Sequence, residues 1–190
     1  MIGRKEFEII MHGKRDEKQE LYNQLRRSYR TKYNDLEASL SIRPKEEQIP
    51  KDKGDLLELW TCACFGGVLY KDIDPMVKID LGLSSIDKGV DVVDFENKLL
   101  IQCKNYDSRL SYKDISTFEF YSNIMKQDKM FKKFSKVLVV AGNGSIDDLI
   151  RKKEDIRISR IEIGHEYREA KLNGCCVKKI SHRSNALCRL

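Results

Sequence analysis

The sequence predicts an α/β fold in which a mixed central sheet is flanked by helices. Three observations support this prediction. A nearly uncharged helical segment covers residues 56–65, a hairpin pattern follows at 90–105, and helix and strand patterns then alternate as far as residue 163. Segments that alternate in this way pack as layers of helices around a sheet.

The length and composition indicate a globular protein with one principal domain. The chain has 190 residues, of which 41% are hydrophobic and 35% charged, so it can bury a core beneath a highly charged surface. No run approaches the roughly 18 uncharged apolar residues that a membrane span needs, and residues 1–6 show no signal-peptide pattern. We therefore expect an intracellular protein, cytoplasmic or nuclear, that is not secreted and has no membrane partner.

Positive charge is concentrated at the two ends of the chain. The net charge is +6 overall, made up of +3 over residues 1–53, −1 over 54–164 and +4 over 165–190. Basic ends around a near-neutral centre are typical of a protein whose extensions contact a polyanion. Ordinary solvated surface is the alternative interpretation.

The N-terminal segment predicts an amphipathic helix within residues 14–40. Its apolar face repeats every four positions, at Leu21, Leu25, Tyr29 and Tyr33. The same helix carries three candidate contacts for a polyanion such as a nucleic acid, Arg26, Arg27 and Arg30.

A charged connector bracketed by Pro44 and Pro50 marks a domain boundary near residue 50. We divide the chain into a basic helical N-terminal extension (1–50), a core domain (51–164) and a basic C-terminal extension (165–190). The N-terminal extension could instead dock a second copy of the chain or a partner protein.

The core domain opens with a helix whose only charge in residues 56–65 is Glu58. Gly54 and Asp55 suit its start, and the glycines at 66 and 67 suit its end. A helix that is apolar on all sides is buried. Glu58 is therefore a carboxylate in a place where an ionised group needs a partner.

The remaining elements follow from local patterns. We predict a short strand at Met76–Leu81, a hairpin of Val90–Phe95 and Leu99–Asn105, and a helix opened by the capping pair Ser111 and Asp114. Further strands are expected at Lys136–Ala141 and Ile156–Ile163, separated by a short helix that Ser145 and Asp148 would cap.

The hairpin collects polar side chains on one face of the sheet. If Glu96 and Asn97 form the turn, Asp91 lies opposite Gln102; if the turn is shifted by one residue, Asp91 lies opposite Lys104. Either register gathers Asp91, Gln102 and Lys104 on one side, because alternate residues of a strand share a face.

Mg²⁺ accounts for this cluster of polar groups. The ion prefers carboxylates, neutral oxygens and water, with phosphate completing the shell. The candidate ligands are the Asp91 and Glu58 carboxylates, the Gln102 amide oxygen and the Cys103 backbone carbonyl, and Lys104 would act on an attacking water and on the phosphate. The structural alternative is that Asp91 ends a turn, Lys104 is solvated and Glu58 pairs with a core arginine.

Three segments together resemble the PD-(D/E)XK nuclease superfamily. They are Gly-Asp-Leu-Leu-Glu at 54–58, Asp-Lys-Gly-Val-Asp at 87–91 and Ile-Gln-Cys-Lys-Asn-Tyr at 101–106. The Gln in the third segment is similar to the Mrr-type restriction endonuclease branch, where it commonly replaces Glu. Val90 stands where the superfamily motif has Pro. The resemblance spans roughly residues 54–163.

The resemblance implies a restriction-endonuclease-like αβββαβ core and a metal-dependent DNA endonuclease. It implies Glu58, Asp91 and Gln102 at a Mg²⁺ ion that Mn²⁺ can replace, Lys104 as the catalytic lysine, and a secondary role for Asp87. Double-stranded DNA is the expected substrate. A structure-selective enzyme such as a junction resolvase, and a catalytically silent nucleic-acid-binding module, are the alternatives.

A structural zinc site is not expected. The candidate ligands near the C-terminus show no paired C-x-x-C spacing: His165, Cys175, Cys176, His182 and Cys188.

Overall fold

The computed structural model describes residues 2–44, 50–163 and 170–172. Six helices are present in these ranges: α1 (Arg4–His12), α2 (Arg15–Ser41), α3 (Pro50–Phe65), α4 (Pro75–Asp80), α5 (Ser116–Met125) and α6 (Asp148–Arg151). The described strands are β1 (Val68–Leu69), β2 (Val92–Asp94), β3 (Leu99–Asn105), β4 (Ser135–Ala141), β5 (Ile156–Ile163) and β6 (Ala170–Leu172). All of the zinc candidates near the C-terminus lie outside the described residues.

The six strands form one mixed sheet in the order β1-β2-β3-β4-β5-β6. β1, β2 and β3 are antiparallel to one another, β3, β4 and β5 are parallel, and β6 is antiparallel to β5. The parallel pairings require crossover segments, which contain α5 and α6. The predicted mixed α/β class is therefore confirmed.

The side chains of β4 show how the two faces of the sheet are covered. Val137, Val139 and Ala141 join the larger cluster of buried side chains, which includes residues of α1, α2 and α3. Leu138 and Val140 join a smaller cluster on the other face, together with Ile115 and residues of α6. The sheet is thus buried on both faces, as its parallel centre requires.

The N-terminal helices share the core of the sheet. Leu21, Tyr29 and Tyr33 are buried in the larger cluster, and Leu25 packs against it, as the four-residue spacing predicts. The Tyr29 hydroxyl also accepts a hydrogen bond from the backbone N–H of Leu69 in β1, at 3.2 Å. The helices within 1–50 are therefore packed against the core domain through α3 and β1.

The strand predicted at Met76–Leu81 is wrong, because residues 76–80 belong to α4 and Leu81 is its C-cap. The Asp74 side chain accepts a hydrogen bond from the Met76 N–H at 2.8 Å, and Pro75 occupies the first turn. A capping aspartate followed by proline is a strong helix start. The strand that pairs with β2 is instead β1.

Two smaller predictions differ in their details. α6 is capped by Asp147, whose carboxylate accepts a hydrogen bond from the Leu149 N–H at 2.9 Å, and not by Ser145. The core helix begins at Pro50 and not at Gly54. Within the ranges that the structure covers, each helix is too short or too polar to cross a lipid bilayer.

The turn of the hairpin is attached to the end of α3 by a buried carboxylate. Asp94 has no exposed surface and accepts hydrogen bonds from the Asn97 N–H at 2.9 Å and from the Asn97 Nδ2 at 2.8 Å. Asn97 Nδ2 also donates to the carbonyl of Phe65 at 3.1 Å. Burial raises the pKa of Asp94 to about 6, against the lowering effect of the hydrogen bonds from Asn97.

We predict that Asp94 makes the protein less stable as the pH rises. Its folded pKa of about 6 lies above the ordinary aspartate pKa of 3.8, so its stabilising contribution is present below pH 4 and is lost as the pH passes 6. The loss is on the order of 3 kcal/mol. Urea unfolding of the wild type from pH 4 to 7 should show this fall, and Asp94→Asn should show a smaller one. Asp128→Asn, which neutralises an exposed carboxylate, should follow the wild type.

Candidate active site

The pairing of β2 with β3 is in the first of the two predicted registers. Asp94 pairs with Leu99 and Val92 with Ile101. The pairing ends there, whereas β3 continues to Asn105. The segment of β3 that carries Gln102, Cys103 and Lys104 therefore extends beyond β2, and Asp91 lies at the point where the two strands separate.

Asp91 connects the three strands that meet at this point. Its N–H donates to the Ile101 carbonyl at 2.9 Å, and its carbonyl accepts from the Tyr70 N–H at 2.8 Å. Its Oδ2 accepts a hydrogen bond from the Cys103 N–H at 2.6 Å. The carboxylate is thus held against the backbone of β3, and this bond engages only one of its two oxygens.

The surroundings of Asp91 make its negative charge costly. Burial raises the pKa of Asp91 to about 7, the Cys103 N–H lowers it, and the negative charge of Glu58 raises it. The charge of Lys104 lowers this pKa and that of Asp87 raises it. The structure therefore brings the predicted charged residues within electrostatic reach of one another.

Gln102 and Lys104 share one face of β3, as predicted. Gln102 pairs with Leu138 and Lys104 with Val140, two residues of the smaller buried cluster. Cys103 points to the opposite face, where its Sγ lies 3.4 Å from the Thr61 Oγ1 of α3. Burial raises the pKa of the Cys103 thiol well above its ordinary value, so this thiol packs as a neutral group.

Gln102 carries an unsatisfied polar atom. Its side chain is only 3% exposed, yet its Oε1 has no hydrogen-bond partner among the described residues. A buried amide oxygen without a hydrogen-bond partner lowers the stability of the fold, and a ligand at this oxygen would remove that cost. A cation or an ordered water would serve as that ligand.

The loop before Asp91 is shaped around the Gln102 amide. Gly89 has a φ of +85°, and a Cβ at this position would lie 3.1 Å from Gln102 Nε2 and 3.2 Å from the Phe118 nitrogen. The Gly89 N–H donates to the Asp87 carboxylate at 3.0 Å. Asp87 is therefore engaged in the turn that brings the loop over Gln102.

Glu58 has a partner that the sequence did not indicate. Its Oε2 lies 3.0 Å from Lys71 Nζ, and the same nitrogen lies 3.0 Å from Asp55 Oδ1. Burial raises the pKa of Glu58, although the charge of Lys71 opposes that shift. This partner is a lysine in the 3₁₀ turn Tyr70–Asp72 that follows β1, and not the core arginine of the structural alternative. No local pattern connects Lys71 with a glutamate 13 residues before it.

Lys104 is half-buried at the far end of β3. Its Nζ lies 5.9 Å from the centre of the Tyr106 ring. Within residues 2–44, 50–163 and 170–172, no carboxylate forms an ion pair with Lys104. Its ammonium is therefore available for an anion at the site.

These donors fit a magnesium ion better than a softer metal. No three His, Cys, Asp or Glu side chains of the described residues stand close enough together to hold a metal by themselves. The donor set is two carboxylates, Asp91 and Glu58, with the unpartnered oxygen of Gln102. Mg²⁺ is bound by one or two carboxylates and neutral oxygens, with water and phosphate completing its shell.

One of the three predicted phosphate contacts is engaged within the fold. The Arg26 side chain is only 14% exposed and forms an ion pair with Glu96 in the hairpin turn. The Arg26 guanidinium thus links α2 to the hairpin turn, and its role as a DNA contact stays a prediction. Arg27 is exposed and Arg30 half-buried.

Comparison with known proteins adds no assignment. No protein-family model, curated protein or solved structure matches the chain. The resemblance to PD-(D/E)XK nucleases therefore rests on the short sequence motifs alone.

We predict that Gly89→Ala destabilises the protein more than Gly82→Ala. Both glycines have positive φ, but an added Cβ at Gly82 meets nothing within 4 Å, whereas at Gly89 it meets Gln102 and Phe118. Backbone strain alone should cost roughly 1–2 kcal/mol in each variant. Urea unfolding measures the two costs, and their difference isolates the contact with Gln102 and Phe118. Equal costs would mean that the loop does not press on Gln102.

Proposed function

We propose that the chain is a metal-dependent DNA endonuclease of the PD-(D/E)XK type, which hydrolyses phosphodiester bonds. The observation that carries this proposal is the placement of Asp91 at the end of the β2–β3 pairing, where the charges of Glu58 and Lys104 act on it, while β3 carries the unpartnered Gln102 Oε1 two residues before Lys104. The order of α3, three strands, α5 and β4 is compatible with a restriction-endonuclease-like core.

In this proposal, Asp91, Glu58 and Gln102 hold the ion, and the Cys103 carbonyl is a further candidate ligand. Bound Mg²⁺ would lower the pKa of a coordinated water and polarise the phosphate. The Cys103 N–H orients the Asp91 carboxylate through a 2.6 Å hydrogen bond. The raised pKa of Asp91 means that a cation must compete with a proton for this carboxylate near neutral pH.

Lys104 is the residue that acts on the substrate. It lies two positions after Gln102 on the same face of β3, and no carboxylate of the described chain pairs with it. Its ammonium would stabilise the charge that develops on the attacked phosphate and would orient the attacking water. Double-stranded DNA is the proposed substrate, and exposed basic residues such as Arg27 would add salt-dependent affinity.

A silent nucleic-acid-binding module is the second candidate. Lys71 already neutralises Glu58, and the described residues provide only two carboxylates for a metal. Such a module would bind DNA without cutting it.

We predict that the purified protein nicks plasmid DNA with Mg²⁺ or Mn²⁺ and not with EDTA, and that Asp91→Asn abolishes this activity. Loss of a metal carboxylate should slow cleavage roughly a thousandfold, whereas Asp128→Asn, at an exposed position, should cleave as the wild type does.

Linear, single-stranded and branched DNA are assayed in parallel. Selective cleavage of branched DNA would indicate a junction resolvase, and DNA binding without cleavage would indicate the silent module. Full activity of Asp91→Asn would refute the assignment of the site.

We further predict that Gln102→Glu tightens Mn²⁺ binding in the absence of DNA by about tenfold, because a third carboxylate adds Coulomb attraction for the cation. Calorimetric titration of Mn²⁺ measures the change. Gln127→Glu adds the same charge at an exposed position and should leave the affinity unchanged. Equal affinity of the wild type and Gln102→Glu would place Gln102 away from the ion.

A further inference from the structure

Lys71 bridges two carboxylates of α3. Its Nζ lies 3.0 Å from Glu58 Oε2 and 3.0 Å from Asp55 Oδ1. Asp55 and Glu58 are three residues apart, so they lie on the same side of the helix. One ammonium therefore occupies the space between two carboxylates, as a bound cation would.

The backbone of the candidate site holds Lys71 in this position. The preceding residue, Tyr70, donates its N–H to the Asp91 carbonyl at 2.8 Å. The Tyr70 side chain is buried, and its hydroxyl donates to the Ser84 carbonyl at 2.6 Å. The backbone that precedes Lys71 is thus anchored to Asp91, while the two ion pairs are the contacts of the ammonium among the described residues.

The Lys71 ammonium can move out of the ion pair into solvent more easily than the Glu58 carboxylate can. The Lys71 side chain is 52% exposed, whereas the Glu58 side chain is 22% exposed. A partly exposed ion pair of this kind adds little to the stability of a fold. Glu58, in contrast, requires a positive partner because it is more deeply buried.

We propose that Lys71 is the resident counter-ion of Glu58, and that a divalent cation must displace it in order to bind. This inference deepens the proposed function and rests on it, since it assumes that Glu58 and Asp91 bind the metal. The displaced ammonium stays tethered beside Asp91, where the phosphate of a bound DNA strand is the anion available to it. The metal takes the place of the ammonium at Glu58, and the phosphate takes the place of Glu58 at the ammonium. Metal binding and phosphate binding then favour each other.

The test compares Mn²⁺ affinities by calorimetry in the full chain without DNA. Lys71→Met removes the competing charge and should tighten Mn²⁺ binding about tenfold. The matched control is Lys32→Met, because Lys32 forms a comparable ion pair with Asp72 at 3.1 Å and is 47% exposed. This control changes the net charge equally and should bind Mn²⁺ as the wild type does.

The outcomes separate this inference from the proposed function. If the wild type binds Mn²⁺ and Asp91→Asn does not, but Lys71→Met binds no more tightly, the metal site stands and the role of Lys71 is wrong. If the wild type and Lys71→Met both fail to bind Mn²⁺, the metal site and the exchange are both overturned. If Lys71→Met and Lys32→Met bind Mn²⁺ equally more tightly than the wild type, the change comes from net charge alone. This outcome would also overturn the inference.

Lys71→Gln provides a second variant with a polar, uncharged side chain. Thermal unfolding of each variant confirms that it folds before the titration. Lys71→Gln should tighten Mn²⁺ binding in the same direction as Lys71→Met, because both variants remove the ammonium. Opposite directions in the two variants would contradict displacement of a charge.

Discussion

The candidate site depends on one constraint, the separation of β2 from β3 at Asp91. β3 continues to Asn105 after the pairing ends at Val92 and Ile101, and its free backbone requires a hydrogen-bond partner. The Asp91 carboxylate provides that partner for the Cys103 N–H, while the Asp91 backbone bonds to Ile101 and Tyr70. A single aspartate thus joins the 3₁₀ turn after β1 to both strands of the hairpin. The charges of Glu58 on α3 and of Lys104 on β3 both act on this carboxylate.

This arrangement concentrates negative charge that the fold balances with cations. Burial raises the pKa values of both Asp91 and Glu58, which shows that neither carboxylate is ionised without cost. Lys71 offsets the charge of Glu58, and Lys104 lowers the pKa of Asp91. The Gln102 oxygen remains without a partner among the described residues. The charges of these carboxylates and the unsatisfied oxygen of Gln102 are the physical basis of the proposed nuclease.

The basic N-terminal segment contributes to the fold as well as to surface charge. Arg26 joins α2 to the hairpin turn through Glu96, and Tyr29 joins it to β1. Its remaining exposed cations, such as Arg27, are the ones available to a polyanion. A basic helix that also supports the hairpin would couple contacts made on its outer surface to the strands that carry the site.

Local patterns were sufficient to predict the elements that depend on short-range periodicity. β3 and β5 have the predicted bounds, and the face shared by Gln102 and Lys104 follows from alternation along a strand. The sequence allowed two hairpin registers, and the structure has the first of them. The prediction failed at Met76–Leu81, where the Asp74 cap and Pro75 outweigh an apolar pattern that is too short to distinguish strand from helix. The pairings of Glu58 with Lys71 and of Arg26 with Glu96 were decided only by the tertiary structure. Their partners are 13 and 70 residues apart in the chain, and periodicity specifies which face a side chain occupies but not which distant residue packs against it.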